Sequence, residues 1–225
     1  MLILFDIDGT LIRSKGLGSR ATHHTIYETF GLDIDLNGHR FGGKTDWFSL
    51  IELLTPVGIT EEMIASKLPE YMQVKRRWMA DLLREFPPWA LPGALETVAA
   101  LRDHGAHTLG ILTGNVQTTA LLKLEAVGLD PAWFPVGAYG HEAISRNDLP
   151  PLALDRAQRL TGRRFAPHDV VIVGDTAADI ECARAHQLRV AAVTTGFEPR
   201  ADLEAARPDY LIDSLVELLA IVNGV

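Results

Sequence analysis

The chain opens on a short continuous apolar run, Leu2-Ile3-Leu4-Phe5, and similar runs recur at Thr108 to Leu112, Val170 to Val173 and Val190 to Val193. A weaker one, Tyr210-Leu211-Ile212, comes near the end. Uninterrupted apolar runs of this length predict strands buried on both faces. Between them the apolar positions switch to helical spacing. Ala94 to Leu101 closes at Gly105, Val116 to Val127 at Gly128 and Leu152 to Leu160 at Gly162, and Thr176 to His186 and Leu215 to Val222 complete the set. Glycine just past such a segment is a common helix stop. Strands alternating with helices predict an α/β fold with a doubly wound, Rossmann-like parallel sheet.

The stretch from Arg20 to Pro88 breaks that rhythm. Three helical patterns fill it, Arg20 to Phe30, Asp46 to Leu54 and Thr60 to Leu83, with no convincing strand. Glu61 and Glu62 fall in the first turn of the last one, where the helix dipole favours acids, and Pro87-Pro88 and Pro92-Gly93 mark its exit. The expected organisation is therefore a core formed by residues 1–15 and 90–225, interrupted by an all-helical insert over residues 16–89.

Composition narrows the function. With 47 % apolar residues in 225, a substantial core is available. A formal net charge of −8 without a Lys/Arg run argues against a nucleic-acid partner, which needs a basic footprint. A small phosphate remains compatible, because it needs only a few convergent cations and N–H groups. The single cysteine, Cys182, cannot form an internal disulfide and suits a reducing compartment. No apolar run is long enough for a bilayer, and Met1 to Phe5 leads into Asp6 without a basic leader. A cytoplasmic protein without a membrane partner is the expectation, as monomer or homodimer.

The candidate chemistry stands at the ends of the apolar runs. Asp6-Ile7-Asp8-Gly9-Thr10 follows the first, Thr113-Gly114-Asn115 the second, and Gly174-Asp175-Thr176, with Asp179 one helical turn on, the Val170 to Val173 run. In a parallel sheet all carboxyl ends share one edge, and ligands bind there at the switch in strand order. Carboxylates crowded together repel and call for a cation, and an all-oxygen ligand set selects magnesium over zinc. Gly9 permits the turn directly after the strand. One carboxylate can then attack phosphorus while another manages the proton of the leaving oxygen.

These motifs, in this order, resemble those of the haloacid dehalogenase superfamily in its phosphatase branch. Asp6-Ile7-Asp8-Gly9-Thr10 is similar to the first motif, Thr113 to the second and Gly174-Asp175-Thr176-Ala177-Ala178-Asp179 to the fourth; Leu91-Pro92-Gly93-Ala94 also looks like phosphoglycolate phosphatase and β-phosphoglucomutase relatives. The resemblance implies Asp6 as nucleophile, forming an aspartyl-phosphate, and Asp8 as general acid and then general base. It implies Mg2+ on the Asp6 side chain, the Asp8 carbonyl and Asp175. Thr113, with N–H groups around Gly114 and Asn115, would bind the phosphate, and Thr10 and Asp179 would stand behind the metal. Where the family usually has a lysine, Ser145-Arg146-Asn147-Asp148-Leu149-Pro150-Pro151 offers Arg146, with Arg156 or Arg159 as substitutes. Arginine keeps the charge but not a lysine's point contact.

The helical insert resembles the superfamily's cap, and Gly42-Gly43-Lys44-Thr45-Asp46 a cap segment facing the active site, which makes Lys44 a candidate for the substrate's leaving group. The expected partner is a small phosphorylated metabolite, phosphoglycolate being the nearest family suggestion. A phosphosugar mutase shares these motifs. A dehalogenase pattern lacks an acid at the place of Asp8, and a receiver-like phospho-acceptor lacks so large an insert. Thr113-Gly114-Asn115 also reads as a strand-to-helix exit with Asn115 as helix cap. Cys182 and Trp47, Trp78, Trp89 and Trp133 read as packing residues, and the histidines show no metal-binding spacing.

Overall fold

In the computed structural model, which describes residues 1–223, a six-stranded all-parallel sheet forms the centre of the molecule. The strands of the chain are β1 (Leu2–Phe5), β2 (Ile12–Arg13), β3 (Trp89–Ala90), β4 (Thr108–Thr113), β5 (Val136–Tyr139), β6 (Val170–Gly174), β7 (Arg189–Val193) and β8 (Tyr210–Ile212). The helices are α1 (Leu17–Phe30), α2 (Asp46–Leu54), α3 (Glu61–Glu85), α4 (Ala94–His104), α5 (Gln117–Ala126), α6 (Leu149–Thr161), α7 (Ala177–Ala185), α8 (Arg200–Ala206) and α9 (Leu218–Asn223). Strand order in the main sheet is β5-β4-β1-β6-β7-β8, so β1 sits where the order reverses.

The period-two alternation of β1 explains its fully apolar composition. Ile3 and Phe5 point into a core layer with Ala94 and Val98 of α4, Ala120 and Leu124 of α5, and Leu218 of α9. Leu2 and Leu4 point to the opposite layer, against Leu149 and Ala153 of α6, Ile180 of α7 and Leu203 of α8. With helices on both faces, neither side of the strand has room for a polar residue. Phe5 meets Phe134 edge to face, with ring centroids 6.2 Å apart.

Helices α1 to α3 lie between β2 and β3, which pair antiparallel through Ile12 with Ala90 and Arg13 with Trp89. This ribbon carries the chain out to the helical insert and back. The insert has its own apolar centre of Ile26, Leu50, Leu54, Ile64, Leu68 and Tyr71, joined by Val116 from the sheet region. Thr45 and Thr60 cap α2 and α3, their hydroxyls accepting from Phe48 N and Met63 N.

Three expectations need correction. β5 was not foreseen, because Val136-Gly137-Ala138-Tyr139 is short and broken by a glycine. Nor was α8, whose seven residues bury Leu203 alone. Trp89 is 43 % exposed at the ribbon and does not act as a packing residue.

Candidate active site

The tips of β1, β4 and β6 converge. Asp6 extends β1 by one residue, its N–H donating to Val173 O at 2.9 Å. The chain then turns: Ile7 O accepts from the N–H groups of Leu11 and Ile12, and Gly9 adopts φ +89°. A Cβ on Gly9 would lie 2.2 Å from the nearer carboxylate oxygen of Asp175, so glycine is required by its backbone and by the approach of the loop. Thr10 Oγ1 donates to Asp175 Oδ1 at 3.3 Å, and Phe197 N–H to Asp175 Oδ2 at 2.8 Å.

Asp6, Asp175 and Asp179 each place a carboxylate oxygen within 4.8 Å of the others, and all three are buried. Burial pushes the Asp6 carboxyl up to about 6; Arg146 pulls the other way, and Asp179 and Asp8 add to the rise. Burial, then Asp6 and Asp179, likewise hold Asp175 well above the ordinary carboxylate range. Three buried carboxylates facing a single guanidinium form a hard, all-oxygen site with excess negative charge, which fits a divalent cation.

Asp179 does two jobs at once. Its Oδ2 accepts from Thr176 N at 3.1 Å and Thr176 Oγ1 at 2.7 Å, closing a capping box on α7. Its Oδ1 receives Arg146 Nη2 at 2.5 Å. With both oxygens engaged by protein donors, Asp179 stands behind Asp6 and Asp175.

Arg146 comes from the single 3-10 turn that precedes α6. Its Nη2 lies 3.2 Å from Asp6 Oδ1 and 3.3 Å from Leu112 O, while its buried Nε has no hydrogen-bond partner among the described residues. The two substitutes go elsewhere: Arg156 pairs with Glu142, and Arg159 with Asp155 along α6.

At the end of β4, Thr113 is fully buried, and its Oγ1 accepts from Asn115 Nδ2 at 2.9 Å. Asn115 does not cap α5. The N-cap residue is Val116, and Val116 N–H is instead taken by Asp46 Oδ2 from the helical insert at 2.8 Å. The amide of Asn115 is turned inward, donating to Asp8 Oδ2 at 2.8 Å.

The segment Lys44 to Asp46 is seated on this edge of the sheet. Asp46 N–H donates to Gly114 O at 2.7 Å, Trp47 N–H to Gly140 O at 3.0 Å, and Thr45 Oγ1 to Ile144 O at 2.6 Å. A Cβ on Gly114 would fall 1.9 Å from Lys44 O, so the seat exists only because position 114 carries no side chain. Lys75 of α3 is buried, and its Nζ is 2.7 Å from Asp46 Oδ1. A cavity of about 870 Å³ remains under the insert, lined by Asp6, Asp8, Thr113, Gly114, Asn115, Arg146, Lys44 and Lys123 among others. The Nζ of Lys44 is held by Glu52 Oε2 at 2.5 Å.

Asp46, Lys75 and Lys123 escaped sequence reasoning. For Lys123 a signal existed: it belongs to the stripe Thr119, Ala120, Lys123, Leu124 that α5 turns inward, where a lysine is out of place.

The sequence profile of a family described as haloacid dehalogenase-like hydrolase matches residues 1–187. The chain belongs to that family. Among curated relatives, this hydrolase is 30 % identical to a phosphoglycolate phosphatase from Synechococcus elongatus, over 98 % of this chain and 96 % of the relative. It is 25 % identical to the pyrophosphatase PpaX of Bacillus pumilus, over 99 % and 96 % of the two chains. The crystal structure of CbbY from Rhodobacter sphaeroides, in complex with phosphate, superposes with a TM-score of 0.71, covering 96 % of this chain and 95 % of that one at 22 % identity; at that identity it speaks for the fold. No helix among the described residues is long and apolar enough to cross a membrane.

Proposed function

We propose that this hydrolase is a magnesium-dependent phosphatase that removes the phosphoryl group of a small organic phosphate through an aspartyl-phosphate on Asp6. The observation that carries the reading is the grouping of Asp6, Asp175 and Asp179 at one strand edge beside Arg146, with Asp8 two residues from Asp6 on the same cavity. Asp6 and Asp175, with the Asp8 carbonyl, would hold the metal. Bound there, Mg2+ neutralises excess carboxylate charge and polarises the phosphoryl oxygens.

Asp6 Oδ attacks phosphorus as the bond to the ester oxygen breaks, and Asp8 gives that oxygen its proton. Asp8, now a carboxylate, takes a proton from water as the water oxygen attacks phosphorus, and the bond to Asp6 breaks to release phosphate. The Thr113 hydroxyl, N–H groups near Gly114 and Asn115, and Arg146 bind the phosphoryl oxygens. Residues 16–89 act as a cap that keeps bulk water from the intermediate, and Lys44, which lines the cavity, would meet a leaving group only by leaving its partner Glu52. The names of the two curated relatives support a small, anionic partner such as phosphoglycolate or pyrophosphate.

The test is Asp6→Asn, assayed with Mg2+ on a panel of phosphorylated metabolites alongside the wild type. The variant should fold normally and lose at least about 10⁴-fold in turnover, because a carboxamide cannot serve as the nucleophile. Substantial residual hydrolysis, or wild-type hydrolysis indifferent to EDTA, would count against the mechanism.

A further inference from the structure

Lys123 is a buried cation for which the reaction above has no use. Its side chain is 2 % exposed, and it rises from the inward face of α5 beneath the insert. Burying an ammonium is costly unless each charge is matched, and an apolar side chain of similar volume is often the more stable choice there. The lysine is matched twice: Nζ lies 2.6 Å from Asp8 Oδ2 and 2.7 Å from Asn115 Oδ1.

The geometry of this triangle is directional. An ammonium only donates, so it requires the carbonyl end of the Asn115 amide to face it. That leaves the Asn115 NH2 pointing away, toward Asp8 Oδ2 at 2.8 Å and Thr113 Oγ1 at 2.9 Å. Asp8 Oδ2 therefore receives two donors, one from Lys123 and one from Asn115. Oδ1 of the same carboxyl accepts from no protein group among the described residues, in a side chain that lines the cavity. Oδ2 is thus occupied by protein donors, and Oδ1 is the oxygen of that carboxyl left to meet a group in the cavity.

We infer that Lys123 is a positioning residue for proton transfer: with Asn115 it clamps Oδ2 and presents Oδ1 of Asp8 to the leaving oxygen. The inference rests on the proposed role of Asp8 and adds how that carboxyl is aimed. The proton moves from Asp8 Oδ1 to the ester oxygen as its bond to phosphorus breaks, while Lys123 holds Oδ2 through its hydrogen bond.

The test is Lys123→Met, read as kcat/KM for two classes of substrate with Mg2+ present. A nitrophenyl phosphate expels a leaving group that needs no proton, and an alkyl phosphate expels one that does. Misaiming the acid should lower kcat/KM about 10²-fold on the alkyl ester and less than about threefold on the nitrophenyl ester, within the range that general acid catalysis supplies. Lys123→Gln, which keeps a neutral donor of similar reach, should lose less on the alkyl ester than Lys123→Met, and it carries the test if Lys123→Met does not fold. Equal losses on both substrates, or none on either, would overturn the inference. Asp8→Asn separates the two layers. If it loses selectively while the Lys123 variants do not, Lys123 is not the positioning group; if it shows no leaving-group preference, the role of Asp8 itself falls.

Discussion

Removing divalent metal from this protein should make it less stable as the pH rises, and the size of the effect follows from Asp6. Burial pushes its carboxyl from an ordinary 3.8 to about 6 in the metal-free protein, with Arg146 opposing and Asp179 and Asp8 reinforcing. A carboxyl raised by folding holds its proton more tightly in the native state. Its contribution to stability is thus fully present below the unfolded value and is lost as pH climbs through about 6. The whole displacement corresponds to about 3 kcal/mol, of which about 2 kcal/mol falls between roughly pH 4.5 and pH 7. Asp175, raised by burial and by Asp6 and Asp179, adds in the same direction.

The assay is urea unfolding in EDTA at both pH values, followed by tryptophan fluorescence, with Asp6→Asn alongside. The variant should lose about 2 kcal/mol less than the wild type across that interval, and more if Asp175 is also relieved. Mg2+ at a hundredfold excess over its dissociation constant should return about 2.7 kcal/mol to the wild type at the higher pH. If wild type and Asp6→Asn show the same pH slope in EDTA, the carboxylate cluster is not under the strain described, and the case for a cation there weakens with it.

Two further outcomes concern how the helical insert is seated. Asp46→Ala would strand Lys75, whose ammonium burial would pull down but which Asp46 and Tyr71 hold above its ordinary range; the expected loss is about 3–5 kcal/mol in urea unfolding, and a loss below about 1 kcal/mol would show the pair is dispensable. Gly114→Ala would drive a methyl group against Lys44 O, now 1.9 Å from the Cβ position, so the segment must lift. kcat/KM should fall about 10- to 100-fold with stability down by about 1–3 kcal/mol, and unchanged kinetics would mean the seat does not shape the site.

The strand tips were legible because their signals are local. An apolar run ending in Asp6-Ile7-Asp8-Gly9-Thr10 carries both the element and the turn that follows it, and the same holds for Gly174-Asp175-Thr176. Arg146 was legible by position, although its contacts with Asp6, Asp179 and Leu112 O were not. Asp179 read as both a helix-start acid and a candidate site residue; the capping box bears out the first, and its other oxygen lies on Arg146 beside Asp6. What stayed hidden depends on partners far along the chain. Lys123 and Asp8 are 115 residues apart, and Asp46 and Val116 are 70 apart; no spacing rule links such pairs. β5 failed for a different reason: an edge strand held by pairing with β4 does not need the apolar run that a central strand requires.

The placement of charge also argues for an order of events. Asp8 is balanced by Lys123, and Asp46 by Lys75, each at hydrogen-bonding distance. Each of these carboxyls faces its own ammonium, and neither belongs to the cluster. Fully ionised, Asp6, Asp175 and Asp179 against Arg146 would leave two negative charges in excess, three minus one, which is why burial holds Asp6 and Asp175 above the ordinary carboxylate range. In a buried setting a dianion does not enter such a field unaided. On the proposed reading, a divalent cation held by Asp6 and Asp175 would cancel that excess and leave Thr113, Arg146 and the backbone N–H groups free to bind the phosphate. Because Lys123 and Lys75 already hold Asp8 and Asp46, a cation bound at the cluster would change the charge around Asp6 without displacing either carboxyl.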